Sequence, residues 1–263
     1  MPGILEWATP MLGMGIDESC GLPLEVVARG SGIVMRLIPA GVLDIPVPPD
    51  DDSDAGYTGG VRRLHVAKPF YLGKFEVTFG EWRVVHPGFT ITHFYGADEV
   101  PTQPRHAMSC VSWWDVQYYL IATGLRLPTA IEWEFACRAG TTTDTYGPLE
   151  DVAWFAEDWQ TSGGSLPLVG LKRPNAFGLH DMLGGVAEWC ADVATPDATG
   201  ARWYDATWEY EPGTMSPPGN VPLRLFWGGS YTSQEWECAA SYVRSTLPHA
   251  RDPTIGFRVA RNP

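Results

Sequence analysis

The last stretch of the chain, from Trp227 to Pro263, most constrains what the rest can fold into. It opens on Gly228-Gly229-Ser230 and closes on Gly256-Phe257-Arg258-Val259-Ala260. A glycine pair lets a backbone turn tightly or approach another chain closely. Toward the end Ile255, Phe257 and Val259 alternate with Gly256, Arg258 and Ala260, the period of a half-buried strand. Between these anchors lies a segment mixing Tyr231, Trp236, Tyr242, Arg244, His249 and Arg251 with small polar residues. A polar, aromatic loop between two strands is either an ordinary surface hairpin or a binding surface carried on a rigid scaffold.

The remaining sequence fits a loop-rich scaffold. Charged residues are only 19%, against 29 glycines and 23 prolines in 263 residues, which points to modest regular structure. The length suits one large domain or two small ones. A net charge of −13 makes a phosphate backbone a poor partner, so no nucleic-acid partner is expected. The five cysteines, Cys20, Cys110, Cys137, Cys190 and Cys238, are odd in number and form no CxxC, so buried reduced thiols are expected over a disulfide framework. The first residues lack a basic, then apolar, leader pattern, and no apolar run is long enough to span a bilayer. A cytoplasmic location is the default, with surface or virion display by another route left open.

Residues 1–30 show no period and read as an irregular lead-in, with the domain proper over 31–263. Residues 32–41 read as a strand closed by a Pro/Gly turn, and 70–77 as a second strand. Three capping boxes follow, in which a Ser or Thr hydroxyl and an acidic side chain three residues on satisfy free amides at a helix start. They are Thr78 with Glu81, Ser112 with Asp115, and Thr129 with Glu132, the last two helices stopping at Gly124 and Gly140. Residues 141–170 read as a turn-rich connector, and Trp203, Tyr204, Trp208 and Tyr210 fall in another long loop. The alternation of Asp50, Asp52 and Asp54 fails as a calcium loop, because Ala55 stands where glycine is needed and Val61 where the twelfth-position carboxylate is needed. The carboxylate pairs Glu132/Glu134 and Glu235/Glu237 could support acid–base work, but that spacing more often marks a cap or a strand face. Glu188 reads as a partner for buried backbone or an arginine. Arg126, Arg138 and Arg258 read as structural partners.

The segments IPAG (38–41), FYLGKFEVTFGEW (70–82), VSWWDVQYY (111–119), RLPTAIEWEFACRAGT (126–141), PNAFGLHDMLGGVAEWC (174–190), WGGS (227–230) and IGFRVAR (255–261) resemble, in this order, the formylglycine-generating enzyme family, the sulfatase-modifying-factor domain. The resemblance implies an α+β fold related to C-type lectins: a small twisted antiparallel sheet, short helices and much irregular structure. It also implies three uses to weigh. Members that oxidise a sulfatase cysteine carry two cysteines after the GGS turn that hold copper(I). Here the second is Cys238 but the first is Ser233, and a hydroxyl is a poor ligand for a soft metal. An oxygen-dependent enzyme acting through Cys238 therefore stands as the alternative. Carbon–sulfur-forming relatives take iron from an added helical module, whereas the six histidines here show no HxxxH or HxxH spacing. A calcium site in some members uses an Asn that is Gly185 here.

The third use is binding without catalysis, as in variable proteins of diversity-generating retroelements, whose recognition segment follows GGS and ends in a strand like IGFR. On that resemblance the segment 227–260 is the recognition region. Tyr231, Thr232, Ser233, Trp236, Tyr242, Arg244, Thr246, His249 and Arg251 are its expected contact residues for a protein or glycan ligand, with no metal and no cofactor. Adenine-directed variation of asparagine codons cannot yield Gln234, Glu235 or Trp236, so these three are expected to be fixed positions.

Overall fold

The computed structural model describes residues 5–47, 60–89, 103–164, 166–196, 202–205 and 221–263. The acidic run with Asp50, Asp52 and Asp54, together with His93, Trp208 and Tyr210, lies outside the described residues. In chain order the strands and helices are β1 (Ala8–Pro10), β2 (Glu25–Ala28), β3 (Val34–Ile38), β4 (Gly41–Val47), β5 (Gly60–Val66), β6 (Phe70–Gly73), α1 (Phe79–Val85), α2 (Trp113–Thr123), α3 (Ala130–Arg138), α4 (Leu149–Val152), β7 (Ala153–Trp154), α5 (Ala156–Thr161), β8 (Leu183–Gly184), β9 (Ala187–Pro196), β10 (Arg202–Asp205), β11 (Arg224–Trp227), β12 (Val243–Thr246), β13 (Ile255–Gly256) and β14 (Ala260–Arg261). They form a five-stranded sheet ordered β1-β2-β3-β6-β14 and a second sheet ordered β10-β9-β11-β12, with β13 parallel to β9. Two small ribbons, β4-β5 and β7-β8, complete the set.

The three capping boxes form as the sequence implies. Thr78, Ser112 and Thr129 each take an extended backbone, accept from the amide three residues on, and have their own amide bonded by Glu81, Asp115 and Glu132. Gly124 ends α2 in the left-handed region, as expected. For α3 the left-handed cap is Ala139, at φ 46°, one residue before the expected Gly140.

Four further expectations are corrected. Residues 5–30 are not an irregular lead-in throughout: β1 is an edge strand of the first sheet and pairs antiparallel with its neighbour β2, with an Ile16–Pro23 bridge in the connection between them. Of residues 70–77 only Phe70–Gly73 is strand, because the Phe75–Val77 backbone is used elsewhere, Val77 bonding Phe257 and Met108. The 141–170 connector contains α4, β7 and α5. Finally, the closing segment is not half-buried, since every residue from Ile255 to Ala260 is buried, Arg258 included.

The core explains this last point. One apolar cluster packs α1 and α2 against the first sheet through Trp82, Tyr119 and Phe257, with the Trp82 and Tyr119 rings stacked at 5.2 Å. The other packs α3 against β9 and β11 through Trp133, Leu225 and Trp227. The closing segment runs between the two clusters, so both of its faces are covered. Four cysteines, Cys110, Cys137, Cys190 and Cys238, are buried and free as expected, whereas Cys20 is exposed.

Candidate functional site

The segment expected to carry recognition begins where β11 ends, and β11 pairs with β9 and β12. Gly228 and Gly229 both take positive φ, 97° and 70°. At Gly229 a Cβ would lie 2.9 Å from both Cys238 Sγ and Glu237 O, so the chain turning back over the pair leaves room only for glycine. The Ser230–Ser233 turn closes by two hydrogen bonds: the Ser233 amide donates to Ser230 O at 2.9 Å, and the Ser230 amide donates to Ser233 Oγ at 3.0 Å. Tyr231 N donates to Gly185 O at 2.8 Å, which pins the turn to the segment after β8. A 3-10 turn over Glu235–Glu237 then leads through Cys238 to β12.

The nine expected contact residues divide by exposure. Thr232, Trp236, Arg244 and His249 are exposed, and Tyr242, Thr246 and Arg251 are half-buried. Trp236, with 68% of its surface open, stands edge-on to Tyr242 at 5.3 Å, and Tyr242 Oη donates to Glu237 at 2.9 Å. Arg244 lies 5.9 Å from the Phe226 ring. Arg251 is held 2.6 Å from Asp115 by a two-point ion pair, so part of its charge is already used. Tyr231 and Ser233 are buried, at 2% and 8%, and do not face solvent. Tyr231 packs on Trp159 at 4.6 Å and donates to Pro253 O. Ser233 serves the turn. Trp236→Ala is therefore expected to change unfolding free energy by less than about 0.5 kcal/mol. Ser233→Ala, which removes the oxygen that accepts from the buried Ser230 amide and leaves it only the weak acceptor Cys238 Sγ, should cost about 1 kcal/mol in urea denaturation.

The pair of positions that holds copper(I) in oxidising members can be tested on this geometry. Cys238 Sγ and Ser233 Oγ both receive the Ser230 amide, so the two side chains converge on one point. One of them, however, is an oxygen already committed to that amide. Burial pushes the Cys238 thiol up to about 12, with the Glu237 charge adding to the effect and the Ser230 amide opposing it. These residues do not fit a two-thiolate copper site.

The calcium position also fails to fit. Gly185 sits at φ +67°, and a Cβ there would run into the Glu76 carboxylate. Glu76 instead accepts from the Val186 amide at 2.7 Å, filling the space an Asn would need. Among the described residues no group of three or more His, Cys, Asp and Glu is arranged to hold a metal.

Sequence reasoning treated Glu188 and Arg258 separately, and the structure joins them. Arg258 donates to Glu188 at 2.7 Å, to Gly73 O at 2.9 Å and to His180 O at 3.0 Å, while Trp133 Nε1 donates to Glu188 at 2.6 Å. Glu76 and Asp181 interact with the same charges. Burial raises the Glu76 carboxyl well above its ordinary range, with the charges of Asp181 and Glu188 adding to it. Asp181, raised chiefly by burial, comes to about 6. Arg126 pairs with Glu132, and Arg138 with Glu134 and Asp144, so all three family-motif arginines are structural partners. Glu134 is buried between Arg62 and Arg138, which leaves it no part in acid–base work on a substrate.

Small, mostly antiparallel sheets of short strands with few, short helices define a C-type-lectin-like α+β domain. Within that class the chain belongs to the family of the sulfatase-modifying factor enzyme 1-like domain, whose model matches residues 28–263. A formylglycine-generating enzyme of Streptomyces coelicolor is 31% identical over 183 residues, covering 62% of this chain and 55% of that protein. One of Thermomonospora curvata is 30% identical over 239 residues, covering 77% and 71%. The match thus spans little more than half the length of the Streptomyces relative. Among solved structures, PvdO from Pseudomonas aeruginosa superposes with a TM-score of 0.68 at 24% identity, covering 89% of this chain and 95% of that one. Treponema denticola variable protein 1 superposes with a TM-score of 0.62 at 23% identity, covering 88% and 95%. Both likenesses concern the fold. No helix among the described residues is long and apolar enough to cross a membrane.

Proposed function

We propose that the chain is a non-catalytic ligand-binding protein, of the variable-protein kind, that presents a protein or glycan partner with the surface around Trp236. The observation that carries this reading is that the position paired with the buried Cys238 is Ser233, an oxygen that already accepts from the Ser230 amide. A frame without two thiolates cannot hold copper(I) as the oxidising members do. The exposed side chains suit recognition instead. Trp236 and Tyr242 give rigid contact area at low entropic cost, Thr232, Thr246 and His249 give adaptable hydrogen bonding, and Arg244 gives a cationic donor. Tyr231, Ser233 and the Arg251–Asp115 pair support that surface from beneath.

The test is copper(I) titration against a chromogenic chelator, with oxygen uptake followed on a cysteine-containing peptide. No stoichiometric binding and no uptake are expected from the native chain. Ser233→Cys should gain copper(I) affinity, because a second sulfur would then converge with Cys238 on the Ser230 amide. One equivalent of copper bound by the native chain, with oxygen consumed, would establish the enzyme acting through Cys238 in place of this reading. The variable-protein part is checked in the genome. It requires a near-copy of the coding segment for 227–260, differing where the copy has adenines, beside a reverse transcriptase.

A further inference from the structure

Between the Ser230–Ser233 turn and β12 lies a crevice of about 20 Å3, lined among others by Ser230, Ser233, Tyr242, Arg244 and Thr254. It is separate from the apolar pocket of about 260 Å3 beside α5, which Tyr231 lines with Trp159. Its volume holds roughly one water-sized group, so it can take the polar head of a ligand and not a ring. The lining has one charged residue, Arg244, and no carboxylate. Arg244 sits on β12 in register with Phe226, its guanidinium carbon 5.9 Å from that ring. It makes no ion pair among the described residues. Its fork of donors, carried on a paired strand, is therefore open to an anion.

The hydroxyls of the turn add a donor. Ser230 Oγ lies 3.1 Å from Thr232 Oγ1 and 3.3 Å from Ser233 Oγ. Three hydroxyls carry three hydrogens and these two contacts use two, which leaves one for another acceptor. Glu237 and Asp252 lie outside the lining, and local donors occupy both. Glu237 accepts from Tyr242 Oη at 2.9 Å and from the Gln234 amide at 2.8 Å, and Asp252 accepts from the Thr254 amide at 2.8 Å. Beside the crevice, Trp236 meets Tyr242 edge-on at 5.3 Å and keeps 68% of its surface open. A cation and a hydroxyl donor next to an open indole suit a carboxylate carried on a ring whose carbon face lies against the tryptophan. The net charge of −13 repels a partner with many carboxylates. A sugar acid brings one, together with hydroxyls that match Ser and Thr.

We propose that this crevice takes the carboxylate of an acidic sugar, with Arg244 as its ion-pair partner and Trp236 against the ring. The inference rests on the reading of the chain as a binding protein, and it names the ligand's chemistry.

The experiment follows the Arg244 Nε–H and Trp236 indole N–H resonances in the 15N-labelled full chain, assigned with Arg244→Met and Trp236→Phe. The probes are methyl glucuronide, methyl sialoside, neutral methyl glucoside and the blocked tripeptide Gly-Glu-Gly. At least one acid sugar should move both resonances saturably and bind more weakly as salt is raised. The glucoside and the tripeptide should not saturate. Arg244→Met changes an exposed side chain and should weaken the acid sugar by about tenfold, with Arg244→Lys recovering part of the loss. Glucoside binding as tight as the acid sugar would reduce the effect to ring stacking and overturn the proposal. Saturation by the tripeptide at equal affinity would make the crevice a site for a protein carboxylate and overturn it too. So would acid-sugar binding undiminished in Arg244→Met, or no movement with any probe. Copper(I) uptake with oxygen consumption would remove the non-catalytic reading whatever the sugars do. With a null copper titration, failure of both acid sugars removes this inference alone.

Discussion

Arg258→Met is expected to lower the unfolding free energy by about 3–5 kcal/mol, the typical result of removing one partner from a buried ion pair. Arg258 has no solvent exposure, and Glu188, which it meets at 2.7 Å, is 1% exposed. The arginine also satisfies the carbonyls of Gly73, His180 and Asp181, so its loss strands acceptors as well as a carboxylate. The acceptors come from the end of β6 and the segment before β8, and Trp133 on α3 reaches the same carboxylate. One side chain thus fastens the two sheets and a helix together. Combining Arg258→Met with Glu188→Gln should recover part of the loss, because no uncompensated charge remains in the interior. Urea denaturation of both variants gives the coupling. A single-variant cost below about 1 kcal/mol would contradict this account of the core.

The same residues show how far the sequence could be read. Arg258 falls on the polar side of an alternating run, which on period alone faces water. Its burial depends on Glu188, 70 residues earlier in the chain, and no local pattern carries that information. The capping boxes at Thr78, Ser112 and Thr129 were legible for the opposite reason. Every bond in them lies within three residues, so residue type and spacing suffice. α5 failed as an expectation because its six residues have no side-chain cap from Phe155, and its place is fixed by the long-range bond to Ser233 O. β1 and β2 are three and four residues long, too short for a period to show. At the candidate site the chain pattern located the loop but not its orientation. Tyr231 and Trp236 are equivalent on composition, yet one is pinned inward by the Gly185 carbonyl and the other left open. The pocket that Tyr231 lines was hidden from sequence for the same reason, since its walls come from residues 154–171.

The second large effect is a fall in stability as pH rises from about 4 to about 7, the reverse of ordinary acid denaturation. Asp181 titrates near 6 when folded and 3.8 in its ordinary state, raised chiefly by burial. Asp192 behaves alike, burial bringing it to about 6 against the Ala130 amide that bonds its Oδ2. Each of these carboxyls leaves Oδ1 buried without a partner among the described residues, an oxygen suited to carry the proton. Between the two values the folded chain binds more protons than the unfolded one, so stability declines with pH across that window. The contribution is complete below about 3.8 and is lost through about 6. Moving a carboxyl between those values is worth on the order of 3 kcal/mol. Glu76, raised in the same direction chiefly by burial, adds to the loss. Asp115 runs the other way. Burial pushes it up, but the bonds from Arg251 and Ser112 outweigh that and hold it below its ordinary value, so its contribution disappears in acid. Stability should therefore peak between about pH 4 and 5 and descend toward neutrality. Asp181→Asn with Asp192→Asn removes both titrations and should flatten the descent between pH 5 and 7 in guanidinium denaturation. A native curve that rises over that interval would mean the interior carboxyls are ionised at no cost, and the buried charge balance around Arg258 would have to be redrawn.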